Sequence, residues 1–117
     1  MENTARQAIA VVPELAAVYA LTRRGWRWVS LTRGPGALVG YFEWPGCSTV
    51  DWCVIRGASE VEAVRVCYGE WVVWCRDGRV GPVAEELGAL PPPDDPAAPR
   101  LITGRRWRPP PPLRPRG

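Results

Sequence analysis

The sequence predicts an α+β fold: an N-terminal helix, a five-stranded antiparallel meander and a C-terminal helix, then a disordered Pro/Arg-rich tail. Three observations predict it. Apolar residues recur at helical spacing in residues 5–24 and 80–90. Residues 26–77 hold nine of the fourteen valines and six of the seven tryptophans, divided at regular intervals by glycine and proline. Those residue types fit a pleated surface. Residues 91–117 hold ten of the fourteen prolines, a composition that favours extended chain over a packed core. The expected organisation is one domain over residues 1–90 and a flexible tail over 91–117.

In the first helix, Ala8, Val12, Leu15, Tyr19 and Thr22 share a face. Pro13 suits a first turn and is costly in an interior, so either the helix starts near it or kinks there. Arg23 and Arg24 suit the negative helix end, and Gly25 suits the position after it. Five strands follow: Trp26–Thr32, Ala37–Trp44, Ser48–Arg56, Val61–Tyr68 and Glu70–Arg76. Their short connections imply antiparallel neighbours. A two-residue turn at Tyr68-Gly69 sets Val66 opposite Trp71 and Val64 opposite Val73. One face then carries Val64, Val66, Trp71 and Val73, and the other Ala63, Arg65, Cys67, Val72 and Trp74. In the last helix, Pro82 fits the first turn, and Val83, Leu87 and Leu90 form the apolar stripe.

Composition removes several kinds of chemistry. The 117 residues contain fifteen arginines, no lysine and no histidine. Without histidine there is no Ser-His-Asp or Cys-His nucleophile pair and no His-ligated zinc. Without lysine there is no Schiff base and no P-loop lysine. The abundance of Ala, Gly, Pro and Arg, whose codons are GC-rich, accounts for arginine standing in for lysine and points to a GC-rich bacterial genome. Cys47, Cys53, Cys67 and Cys75 lack the close pairing of a zinc knuckle or redox motif, so structural free thiols are expected, with no metal and no cofactor. No secretory leader or membrane-length apolar run is recognisable, which predicts a cytoplasmic protein with no membrane partner.

Charge is unevenly placed. Residues 1–90 are nearly neutral, whereas the tail carries six arginines against Asp94 and Asp95. Two binding readings follow. Trp26 and Trp28 point to one strand face, and Trp74 is large for a solvated position. The expected function is a small non-enzymatic accessory protein that binds a protein partner, or itself as a homodimer, through a sheet face bearing Trp26, Trp28 and Trp74. The alternative is weak, salt-sensitive nucleic-acid binding through Arg100, Arg105, Arg106, Trp107, Arg108, Arg114 and Arg116. The tail has two further readings. Arg106-Trp107-Arg108-Pro109-Pro110-Pro111-Pro112-Leu113-Arg114 satisfies an arginine-flanked PxxP pattern. Leu101-Ile102-Thr103 could instead fold back onto a sheet edge. Among the acids, Glu60, Glu62, Glu85 and Glu86 have no recognisable catalytic context, and no enzymatic activity is expected.

Leu21-Thr22-Arg23-Arg24-Gly25-Trp26-Arg27-Trp28, then Leu31-Thr32-Arg33-Gly34-Pro35 and Val72-Val73-Trp74, resemble segments of short hypothetical proteins of actinobacteria. The similarity spans roughly residues 5–90 and agrees with a GC-rich bacterial source. It implies no activity, ligand or site residue.

Overall fold

Alternating side chains and short turns close the middle of the chain into a single antiparallel sheet. The structure, a computed structural model, describes residues 15–31 and 36–110. Helix α1 (Ala16–Arg23) is followed by β1 (Arg27–Leu31), β2 (Ala37–Glu43), β3 (Val50–Gly57), β4 (Glu60–Cys67), β5 (Trp71–Gly78) and helix α2 (Val80–Ala89). The sheet order is β1-β2-β3-β4-β5 and every pairing is antiparallel. This is the expected helix–meander–helix α+β fold. Pro13 and the first half of the expected N-terminal helix lie outside the described residues.

Both helices end as their sequences dictate. Gly25 adopts φ +105°, where a side chain would be strained. Its N–H donates to Thr22 O, and the N–H of Trp26 donates to Leu21 O, which is the Schellman closure. Helix α2 starts where the Val80 N–H donates to Ala58 O, with Pro82 in its first turn. Arg24 Nη1 ties the end of α1 to Gly88 O of α2 at 2.5 Å.

The helices cover one face of the sheet. Val18 and Leu21 of α1 and Val83, Ala84 and Leu87 of α2 pack with Trp26, Cys53, Val61 and Ala63. Trp28, Phe42 and Trp74 border this core. Trp28 lies across Gly40, its register partner in β2. A Cβ built on Gly40 would sit 2.4 Å from Trp28 Cζ3, so only glycine fits beneath the indole. That ring is fixed by its Nε1–H bond to Thr22 Oγ1 (2.8 Å) and by stacking on Trp26 at 5.9 Å. Gly40→Ala should therefore cost about 1–3 kcal/mol through overpacking. A urea titration checks this; an unchanged midpoint would mean that the indole moves freely.

The β4–β5 hairpin differs from the expected register. The turn takes three residues, Tyr68 to Glu70, so Cys67 faces Trp71 and Val66 faces Val72. A bulge at Val73 then sets Arg65 opposite Trp74 and Val64 opposite Cys75. Each of the two deviations shifts the alternation by one residue. Val72 thereby joins Val64 and Val66 on the helix-free face, while Trp71 and Trp74 share Arg65's face. The physical reason is the turn itself, where Tyr68 (φ +53°) and Gly69 (φ +89°) are both left-handed.

The second face is also covered, and by residues expected to be disordered. Val39, Val54, Val64, Val66 and Val72 form a second buried cluster, and Trp107 belongs to it at 8 % exposure. Residues 91–110 are thus not a free tail, and the packed unit does not stop at residue 90. Two turns fold around Asp95, which accepts from Ala98 N and, through Oδ1, from Ala97 N. The chain then runs along the outer edge of β5. Thr103 N donates to Val72 O (3.1 Å), Val72 N to Arg105 O (3.0 Å) and Trp107 N to Glu70 O (2.8 Å). High proline content disfavours helix and central strand, but it leaves an extended strap able to dock on a sheet edge. Thr103 docks as the fold-back reading expects, whereas Leu101 and Ile102 stay exposed. Residues 111–117 lie outside the described residues.

Candidate functional site

The tryptophans expected to face a partner face the helices instead. Trp26 is buried at 8 % exposure, and Trp28 and Trp74 are half-buried against the same core. The alternation allowed either outcome. Register settles it: Trp28 is opposite Gly40, Gly40 is opposite Cys53, and Cys53 is opposite Ala63, all on the helix-covered face. Trp26, Trp28 and Trp74 therefore do not form an outward binding surface.

The tail residues of the nucleic-acid reading are placed as a strap with partners of its own. Arg105 Nη2 lies 3.2 Å from Glu62 Oε2. Arg106 Nε and Arg108 Nε lie 3.4 and 2.8 Å from the two oxygens of Glu70. The Arg106 guanidinium also sits 4.6 Å from the Trp71 ring centroid. Arg100 Nη2 donates to Asp95 O. Trp107 is spent as an anchor, with Nε1–H donating to Glu62 Oε1 at 3.0 Å, and offers no open ring for a base. Arg114 and Arg116 lie outside the described residues. The three arginine–carboxylate pairs are solvent-exposed on the arginine side, so each contributes at most about 1 kcal/mol.

A different surface gathers side chains from segments remote in sequence. An open cleft of about 770 Å³ lies between the β2–β3 turn, the β4–β5 turn and the proline segment after α2. Trp44, Cys47 and Tyr68 line one side, and Pro92, Pro93, Asp94 and Pro99 line the other. Arg65, one of its lining residues, belongs to a buried ion pair. Arg65 Nε and Nη2 meet the two oxygens of Asp51 at 2.7 and 3.0 Å, with both side chains almost fully enclosed. Trp44 Nε1 donates to Asp51 Oδ2 at 2.9 Å, and Arg65 Nη1 donates to Pro91 O at 2.7 Å. The guanidinium also lies 5.4 Å from the Trp44 ring centroid. This network neutralises both charges and fixes the Trp44 ring. It joins β3, β4 and the start of the proline segment at one point.

The rim of the cleft is apolar and exposed. Tyr68 is 73 % exposed and Ile102 48 %, and Leu101, next along the strap, is 86 % exposed. These are the large hydrophobic side chains left most exposed among the described residues. Tyr68 holds φ +53°, an unusual conformation for a tyrosine, and its N–H donates to Ser48 Oγ of the opposing turn. Sequence reasoning overlooked Tyr68 because a turn residue reads as solvated. For Leu101 and Ile102 it offered docking on a sheet edge, because apolar residues within a proline-rich tract read as seeking cover and not as the rim of a cleft. Asp51 and Arg65 left a weaker signal, each being a charge flanked on both sides by apolar residues within a strand.

The reactive-residue inventory offers little. Cys47 and Cys75 are exposed free thiols, and Cys47 Sγ has only a long contact (3.8 Å) to Trp44 O. Burial pushes the Cys53 thiol up to about 12 and raises Cys67 to a lesser degree, so neither is a ready thiolate near neutral pH. Glu62 is engaged by Arg105 and Trp107, and Glu86 by Arg76. No group of three His, Cys, Asp or Glu residues converges on a metal-sized site among the described residues. No described helix is long and apolar enough to cross a membrane. No protein-family model, curated protein or solved structure matches the chain.

Proposed function

We propose that this chain is a small non-enzymatic accessory protein that acts by protein–protein interaction, and that its docking surface is the cleft flanked by Tyr68 and Ile102. One observation carries the reading. Tyr68, Leu101 and Ile102 are exposed, and two of the three line a cleft whose lining residue Arg65 is held rigid by buried hydrogen bonds. Exposed apolar groups around a fixed concave surface are what a partner's side chains can desolvate. The four free cysteines fit a reducing compartment and hence a cytoplasmic location. Nucleic-acid binding has less support, because Arg105, Arg106 and Arg108 each already face a carboxylate.

The test compares wild type with Leu101→Ser/Ile102→Ser. Both positions are exposed, so the fold should be unaffected, with stability within about 0.5 kcal/mol of wild type. Sedimentation and pull-down should show wild-type self-association or partner capture weakened by about tenfold or more in the variant, the loss of about 1.4 kcal/mol. Equal association of the two proteins overturns the reading.

A further inference from the structure

We propose that the cleft is a site for an arginine-flanked polyproline segment, and that the segment it takes is Pro110–Arg116 of a second copy of this chain. The proposal rests on the cleft being the docking surface and names its occupant. A polyproline II segment is extended before it binds, so docking orders little that was not already ordered. It binds by laying prolyl rings against aromatic groups in a groove.

The cleft supplies those groups already placed. The Trp44 indole is held by its bond to Asp51, and Phe42 packs against it at 4.9 Å in an edge-on arrangement. Tyr68 stands out from a turn pinned to Ser48. Pro92, Pro93 and Pro99 form the facing wall. Charge is present on that wall too. Asp94 offers an exposed carboxylate to an incoming guanidinium, and Arg100, which lines the same wall, donates to Asp95 O. Asp51 and Arg65 neutralise each other.

The chain carries a segment of matching chemistry. Pro112 and Pro115 stand three residues apart, one turn of polyproline II, with Arg114 and Arg116 beside them. The strap makes a second copy the donor. Trp107 packs on the helix-free face of the sheet, and Pro109 two residues later is also buried. Arg65, which lines the cleft, belongs to the opposite face. Trp107 and Pro109 thus fix the start of the segment on the face opposite the one that carries Arg65, which favours a neighbouring molecule as the donor. Such a contact is head-to-tail, joining different surfaces of the two molecules.

The test titrates full-length protein into a labelled peptide of the sequence of residues 109–117, followed by anisotropy and by amide shifts. Saturable binding with shifts at Trp44, Tyr68 and Asp94 is expected. A peptide carrying Pro112→Ala and Pro115→Ala keeps its charge and should bind about tenfold more weakly. So should the protein variant Tyr68→Asn, since asparagine tolerates the left-handed backbone. Equal binding of the two peptides would show that charge alone attracts the segment, and no saturation of the wild-type peptide would reject the site; either overturns the proposal without recourse to a variant. If Tyr68→Asn loses association with some other protein while the peptide does not bind, the docking surface stands and this occupant is wrong. If Tyr68→Asn changes no association at all, both readings fall.

Discussion

Replacing Arg65 by methionine should destabilise the protein by about 3–5 kcal/mol, measured by urea or thermal unfolding. The guanidinium is almost completely enclosed, and it supplies two of the three hydrogen bonds that Asp51 receives from side chains. Removing it leaves a buried carboxylate with only Trp44 Nε1–H to satisfy it. It also frees Pro91 O, the tie between β4 and the proline segment. Domains of this size are stable by only about 5–15 kcal/mol, so the variant should sit close to its unfolding threshold. The double variant Arg65→Met/Asp51→Leu discriminates the cause. Replacing both charges by apolar groups removes the stranded carboxylate, and most of the lost stability should return. A single variant that costs less than about 1 kcal/mol would mean that water reaches Asp51.

Trp107→Ala should cost a similar amount, about 3–5 kcal/mol, and should release the strap. Among the described residues, the indole is the only large side chain of the strap in a core cluster, which it shares with Val39, Val54, Val64, Val66 and Val72, with Trp52 packed against it. The Trp52 ring lies 5.5 Å from it. By contrast, Arg105→Gln, Arg106→Gln or Arg108→Gln should each cost no more than about 1 kcal/mol, and less at high salt, because those pairs are exposed. The apolar anchor therefore dominates the charged zipper. Proteolysis between residues 91 and 102 should accelerate in Trp107→Ala and stay slow in the arginine variants. Rapid cleavage of wild type would contradict a docked strap. The apolar cleft is coupled to this anchor, since Pro92 to Ile102 supply one of its walls.

The elements were legible because they rest on local periodicity. Val83 and Leu87 at helical spacing, Gly25 after Arg24, and glycine or proline between valine-rich runs each act within a few residues. The site was not legible in the same way. Trp26 and Trp28 announce only that they share a face. That the face is the one beneath the helices depends on Gly40 lying opposite Trp28 and on Cys53 and Ala63 continuing the row. The two-residue turn already sets Trp74 on the face of Ala63 and Arg65, where the structure has it, but the mixed polarity of that face reads as solvated although the helices cover it. The longer turn and the bulge at Val73 cancel at Trp74 and exchange only Trp71 and Val72 between the faces.

The sequence alone determined the order and kind of every element from α1 to α2, since hydrogen bonding within a helix and alternation along a strand are written in neighbouring residues. It also set the charge contrast between a nearly neutral body and an arginine-rich end. Tertiary structure decided which faces were covered and where the arginines went. Trp107 and Glu62 are forty-five positions apart, and Arg65 and Asp51 fourteen. Sheet register brings Asp51 and Arg65 together and the docked strap brings Trp107 to Glu62, and burial then strengthens what solvent would otherwise screen.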